Sequence, residues 1–212
     1  MYTPRHFEEH ELSALDALIA ADAFVTVVHQ HEGAPYASHL PVLYRRDGAA
    51  VELRGHWSRA NPQWRSIIDQ QVLVIVHGPH AYVSPTWYTA PEQSVPTWNY
   101  VTAHIYGHMQ VDDDPGSLES IVTELAELYE RKHDSNWRFD QVTTETRRDL
   151  RGIVGFRFTA ERIELKFKLN QNHPLANRLG VVTALERIGG DDRNAIAALM
   201  RERIAKESAN ET

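Results

Sequence analysis

Leu12, Leu15, Leu18 and Ile19 recur at helical spacing, which predicts a short amphipathic helix near the start of the chain. Phe24 to His29 is rich in β-branched residues and reads as a strand, closed by a hairpin turn at Glu32-Gly33. Residues 36–44 predict a second strand, with Pro41 marking an edge or a bulge. Asp47-Gly48 is a further hairpin signal, and a third strand is expected over 50–56. Asn61-Pro62 has the form of an N-cap followed by proline in the first turn, so a helix through about Gln70 is predicted. Two strands, 72–77 and 81–84, are expected to flank a turn at Gly78-Pro79. Residues 85–97 hold three prolines and read as a loop, and 99–111 reads as a long strand. After Asp114-Pro115, Leu118, Ile121, Val122, Leu125, Leu128 and Tyr129 share one helical face, with Glu119, Glu124, Glu127 and Glu130 off it. Residues 151–158 and 162–169 predict strands, and 176–212 predicts two helices parted at Gly189-Gly190.

Short strands at close intervals with helices at the ends and corners argue for a mostly β protein with helices, built on an antiparallel barrel. The alternating rhythm of a parallel nucleotide-binding sheet is absent, and so is any GxGxxG or Walker loop. With 212 residues, the chain suits one domain, expected over 1–175, carrying a helical appendage over 176–212.

Charge modifies this picture. The net charge is −7, which argues against broad nucleic-acid binding through Lys and Arg but leaves room for a local basic site. Between Ser66 and Glu130 there are nine carboxylates and no Lys or Arg. There are no cysteines, so disulfides, thiolate catalysis and cysteine zinc sites are excluded. The first residues, MYTPRHFEEHEL, lack the apolar core of a signal peptide, and no apolar run approaches the roughly 20 residues of a membrane helix. A cytoplasmic location is the expectation by elimination.

Candidate chemistry concentrates in GHWSRANPQWR, Gly55 to Arg65, where a strand hands over to a helix. A helix start offers free N–H groups to an anion. Ser58 adds a hydroxyl, and Arg59 adds a planar fork suited to phosphate oxygens. Trp57 and Trp64 supply flat surfaces beside it. The same residues also fit a capped helix with two core tryptophans and a surface arginine, and sequence alone leaves both readings open. A second cluster, GPHAYVSPTWY (Gly78 to Tyr88) and VPTWNY (Val95 to Tyr100), gathers aromatic residues around the proline-rich loop; such loops are often functional, or are pinned by their own tryptophans. Asp112 to Asp114 precede a helix and read as capping and dipole chemistry. His104 and His108 share a strand face but stand about 13 Å apart at strand rise, so that spacing alone places no metal. His39, His56, His80 and His104 are the histidines to consider for a gathered metal site or a single-histidine haem.

At these motifs the chain resembles the FMN-binding negative transcriptional regulators of the PaiB type. The resemblance runs through MYTPRHF, SHLP (Ser38 to Pro41), GHWSRANPQWR, GPHAYVSPTWY, VPTWNY, HIYG (His104 to Gly107), GIVGF (Gly152 to Phe156) and KLNQN (Lys168 to Asn172), in order along nearly the whole chain, and is weakest in the last helices. It implies a split β-barrel, similar to pyridoxamine-phosphate oxidases and flavin reductases, assembled as a homodimer with FMN near the subunit interface. It implies that Ser58, Arg59 and Asn61, with Trp64 beside them, hold the FMN phosphate. Ser38, His39 and Leu40, with Gly55 and His56, would then face the ring or ribityl chain, and Trp98, Lys168 and Gln171 would belong to the partner's side of the site. Split-barrel relatives commonly carry a second cation directly after the phosphate arginine, where this chain has Ala60.

The resemblance therefore implies a flavin- or redox-sensing negative regulator, with operator DNA as a partner and no membrane association. No helix-turn-helix is readable in support of DNA binding. A flavin-dependent oxidoreductase and a haem-binding protein on the same barrel are the alternatives, and fold alone does not choose among them.

Overall fold

A computed structural model describes residues 1–210. Its strands are β1 (Glu8–Glu9), β2 (Phe24–His31), β3 (Ala34–Pro41), β4 (Leu43–Asp47), β5 (Ala50–Ser58), β6 (Gln71–Val83), β7 (Thr97–Asp112) and β8 (Ile153–Lys168). Its α-helices are α1 (Leu12–Ala21), α2 (Gln63–Ser66), α3 (Pro115–Lys132), α4 (Thr144–Arg147), α5 (Leu175–Ile188) and α6 (Asp191–Asn210). The strands form one sheet in the order β3-β2-β6-β7-β8-β5-β4, with β1 added against β8, and every register resolved is antiparallel. Among the described residues, no helix is long and apolar enough to cross a membrane.

The turn chemistry acts where the sequence places it. Glu32 and Gly33 both take positive φ, 51° and 80°, and join β2 to β3 with Phe24 facing Pro41 across the hairpin. Gly48, at φ 58°, closes β4 onto β5. Asp114 caps α3, its carboxylate accepting from the Ser117 N–H at 2.9 Å, and Pro115 fills the first turn. Gly189 and Gly190 part α5 from α6.

Four expectations are corrected. The strand expected over 36–44 is two, because Val42 leaves the ladder and donates its N–H to the Ala23 carbonyl at 3.0 Å, just after the donor-less Pro41. The turn expected at Gly78-Pro79 is continuous strand. The ladder from β2 covers only Leu73 to Ile75, so Pro79 lies outside it and its missing N–H costs nothing there. The strands expected over 151–158 and 162–169 are one, β8, since Thr159, Ala160 and Glu161 contain no turn former. The helix expected from Asn61 through Gln70 is the single turn α2; Asp69 adopts φ 59° and the chain folds back into β6.

The chain forms two compact units, to each of which β6, β7 and β8 contribute residues. The first comprises Met1–Glu11, His77–Ala103 and Glu164–Thr212; the second comprises Leu12–Val76 and His104–Ile163. In the first, α5 and α6 pack through Val181, Val182, Leu185, Ile196 and Met200, all buried. Arg203 of α6 reaches Glu9 of β1 at 2.9 Å. In the second, Val25, Val27, Leu53, Trp57, Val74, Ile105, Phe156 and Phe158 form the core, with Leu118, Ile121 and Leu125 of α3 buried. Alternation along β5 sends Val51, Leu53, Gly55 and Trp57 inward and Glu52, Arg54 and His56 to the half-buried face.

Candidate functional site

The segment from Ser58 to Ser66, in the second unit, is held by a buried polar network. Gln63 is fully buried on α2. Its Oε1 accepts from the Trp57 indole N–H at 2.9 Å, and its Nε2 donates to the Val27 carbonyl at 3.0 Å. The same amide nitrogen lies 3.2 Å from His29 Nδ1, whose Nε2 lies 2.7 Å from the Ser66 hydroxyl. These contacts assign His29 as the neutral Nε2–H tautomer: Nδ1 accepts from the amide, and Nε2 donates to the hydroxyl. Burial, followed by the nearby His31, pushes the His29 pKa below its ordinary value.

Asn61 extends the network. Its Nδ2 donates to the Ser38 hydroxyl at 2.8 Å, while its Oδ1 accepts from the Gln63 N–H at 2.9 Å and the Tyr36 hydroxyl at 3.3 Å. Two candidates far apart in sequence, Ser38 and Asn61, thus meet. His39, the next residue on β3, faces the opposite side, 3.0 Å from the Thr26 hydroxyl and 6.4 Å, ring to ring, from Phe24. Leu40 is half-buried beside it. Gly55 is needed where it stands: a Cβ there would meet the Phe156 ring at 2.7 Å and the Pro41 carbonyl at 2.9 Å. The end of β3 approaches the middle of β5 through that gap.

Arg59 is committed elsewhere. Its Nε donates to the Arg151 carbonyl at 2.7 Å and one Nη to the Ile153 carbonyl at 2.8 Å, and its fork closes on Asp113. Its backbone N–H donates to the Gly152 carbonyl at 2.7 Å. The hydrogen bond from the Arg59 guanidinium to the Asp113 carboxylate raises the Arg59 pKa and lowers that of Asp113. Of the three aspartates expected to cap α3, Asp114 does so; Asp112 accepts from the Asp114 N–H and the Ser117 hydroxyl, and Asp113 serves as the ion-pair partner of Arg59.

Two open groups remain at the turn. Ser58 is exposed, its hydroxyl 3.4 Å from the Ala60 N–H. Arg65 is exposed and lies over the Trp64 ring, 4.3 Å from its centre, and its guanidinium has no hydrogen-bond or ion-pair partner among the described residues. Trp64 is fixed by its indole N–H on the Arg59 carbonyl at 3.0 Å. On β5, His56 Nδ1 is buried without a hydrogen-bond partner among the described residues, and burial pushes the pKa down so that the ring stays neutral. An open hydroxyl, an unpaired guanidinium and an orphaned ring nitrogen fit a group with an anionic end and a polar edge, as FMN has. The one-turn α2 is too short for a helix dipole to add to that fit.

Trp98, Lys168 and Gln171 belong to the first unit. Lys168 Nζ donates to the Trp98 carbonyl at 2.8 Å and to the Thr97 hydroxyl, and burial, then Lys166, lowers its pKa. Gln171 is spent on its own backbone, accepting from the Leu169 N–H and donating to the Phe167 carbonyl. Trp98 is 52% exposed in an open groove of about 700 Å³ with His80, Tyr82 and Trp87, the Tyr82 ring edge-on at 5.8 Å. Among the described residues, no three His, Asp or Glu side chains gather as a metal site. Sequence reasoning missed Gln63, His29 and Arg65; a glutamine beside a proline in a helical turn carries no signal of burial.

The fold is of the split-barrel class, an antiparallel sheet with C-terminal helices. The solved structures it resembles include an FAD- and heme-binding protein from Mycobacterium smegmatis, at TM-score 0.58 and 16% identity, covering 87% of this chain and 80% of that one. A flavocytochrome from Azotobacter vinelandii follows at TM-score 0.57 and 13% identity, covering 78% and 72%. The chain itself belongs to the family described as a putative FMN-binding domain, whose model matches residues 1–162. It is 32% identical over 98% of its length to the full-length protease synthase and sporulation protein PAI 2 of Bacillus subtilis (strain 168). It is also 31% identical to an uncharacterized protein of Emericella nidulans, covering 79% of this chain and 81% of that one.

Proposed function

We propose that the protein is an FMN-binding regulator of the PaiB type, acting as a homodimer, and that the Ser58–Arg65 turn receives the FMN phosphate. The observation that carries this reading is the turn itself. A buried network spends Gln63, Asn61 and His29 on holding it, yet leaves Ser58 and Arg65 open at its surface. Membership of the FMN-binding family supports the choice of anion. Arg59 builds the turn through the Arg151 and Ile153 carbonyls, Arg65 supplies the open positive charge, and His56 offers its orphaned nitrogen to the cofactor's polar edge. Bound flavin supplies the redox chemistry, and the chain supplies binding, orientation and control of solvent. Similarity to the B. subtilis protein, named for protease synthesis and sporulation, supports a regulatory role; operator DNA is the partner that this reading proposes.

Titration of the purified protein with FMN, followed by flavin absorbance and fluorescence, tests this. Micromolar or tighter binding is expected. Arg65→Ala, which removes a charge-assisted contact, is expected to weaken it by about 2 kcal/mol, roughly 30-fold. Absence of binding by the wild type, or unchanged affinity in Arg65→Ala, would overturn the assignment. Salt-sensitive binding to one operator well above other DNA identifies the regulator. Oxidation of NADH or NADPH at a useful rate by the FMN-loaded protein identifies an oxidoreductase instead.

A further inference from the structure

On the other side of Arg59, within the second unit, lies a cleft of about 730 Å³ between the start of α3 and the segment through α4. Its volume falls in the range of small-molecule sites, about 300–1,000 Å³. Four guanidinium groups line it: Arg59, Arg147, Arg148 and Arg151. This is an unusual concentration in a chain of net charge −7. Two of the four are neutralised, Arg59 by Asp113 and Arg147 by Glu119. The other two, Arg148 and Arg151, are exposed, and their side chains have no hydrogen-bond or ion-pair partner among the described residues. The cleft thus has two positive charges in excess. Leu118 and Leu150 give it an apolar wall.

We propose that this cleft is a second anion site, separate from the FMN turn, which takes a small organic phosphate with an apolar body. Planar forks lining one cleft suit phosphate oxygens, and the leucines suit the rest of such a molecule. A concave pocket of this size favours a small molecule over a DNA backbone, which needs a surface that tracks many phosphates. Arg59 gives the site a physical link to the FMN turn: its side chain lines the cleft, while its backbone carbonyl holds Trp64. A ligand that draws the Arg59 fork away from Asp113 acts directly on that turn. Only this link rests on the FMN reading; the site itself does not.

The test uses the full chain and two probes, inorganic phosphate and phenyl phosphate, titrated by calorimetry with and without saturating FMN. Both probes should bind, more weakly as salt rises. Phenyl phosphate should bind more tightly than inorganic phosphate, and saturating FMN should leave a phosphate-binding site open. Arg148→Ala/Arg151→Ala should weaken both probes at least tenfold while leaving the circular dichroism and the FMN affinity unchanged, since neither side chain holds anything in the fold. Four outcomes would overturn the site: no binding by the wild type, equal binding by the double variant, complete displacement of the probes by FMN, or loss in the double variant of DNA binding alone. Failure of FMN binding with the probes still bound would overturn the cofactor assignment and leave this site standing.

Discussion

His29 is the smallest part of the protein on which the turn depends. Its Nδ1 accepts from Gln63, and protonation there would set one N–H against another. Burial already disfavours the charged ring. The consequence for stability has a definite sign. As pH falls through about 6.5, the ordinary histidine value, the unfolded chain takes up a proton that folded His29 resists. The contribution is therefore complete above that pH and is lost as pH falls below it. His56, also held below its ordinary value by burial, adds in the same direction. The urea midpoint of the wild type is expected to drop between pH 7.5 and 5.5. In His29→Gln, less stable at pH 7.5, the further drop on acidification is expected to be smaller. An identical pH dependence in the variant would remove His29 from the account.

The link between β5 and β6 shows what a sequence can disclose of a site and what it cannot. GHWSRANPQWR marks the strand end and the turn, and the turn is there, because Asn-Pro and the flanking tryptophans are local signals. The helix expected beyond it is one turn, because tertiary hydrogen bonds from Gln63 and Asn61 to β2 and β3, which have no local trace, determine its length. The same reason conceals the posture of Arg59, since its partners Asp113, Arg151 and Ile153 are remote in sequence. Hairpins and capped helices were legible for the opposite reason: Glu32-Gly33 and Asp114-Pro115 act on their own backbone. If Gln63 is the centre of this element, Gln63→Leu, near in volume, takes their amide partner from the Trp57 indole N–H and from His29 Nδ1. Depriving two buried groups at about 1–3 kcal/mol each sets an expected loss of about 3 kcal/mol. Chemical denaturation measures it, and a loss below about 1 kcal/mol would show that the network is dispensable.

At the scale of the whole chain, thermal stability gives the cofactor reading its most general test. A ligand that binds only the folded state stabilises it by about 2.7 kcal/mol at a hundred times its Kd. For a protein of this size, each kcal/mol raises Tm by about 2–4 °C, so FMN at that excess should raise Tm by about 5–10 °C. The effect follows from mass action and needs no knowledge of the bound geometry, which separates it from any single contact at the turn. At that same FMN concentration, Arg65→Ala should show a markedly smaller rise while keeping the wild-type Tm without ligand, because the Arg65 guanidinium has no hydrogen-bond or ion-pair partner among the described residues. Differential scanning calorimetry on both proteins, each with and without FMN, reads the two quantities together. A lower ligand-free Tm in the variant would mean that Arg65 is structural through its stacking on Trp64, and an equal rise in both would place the phosphate elsewhere.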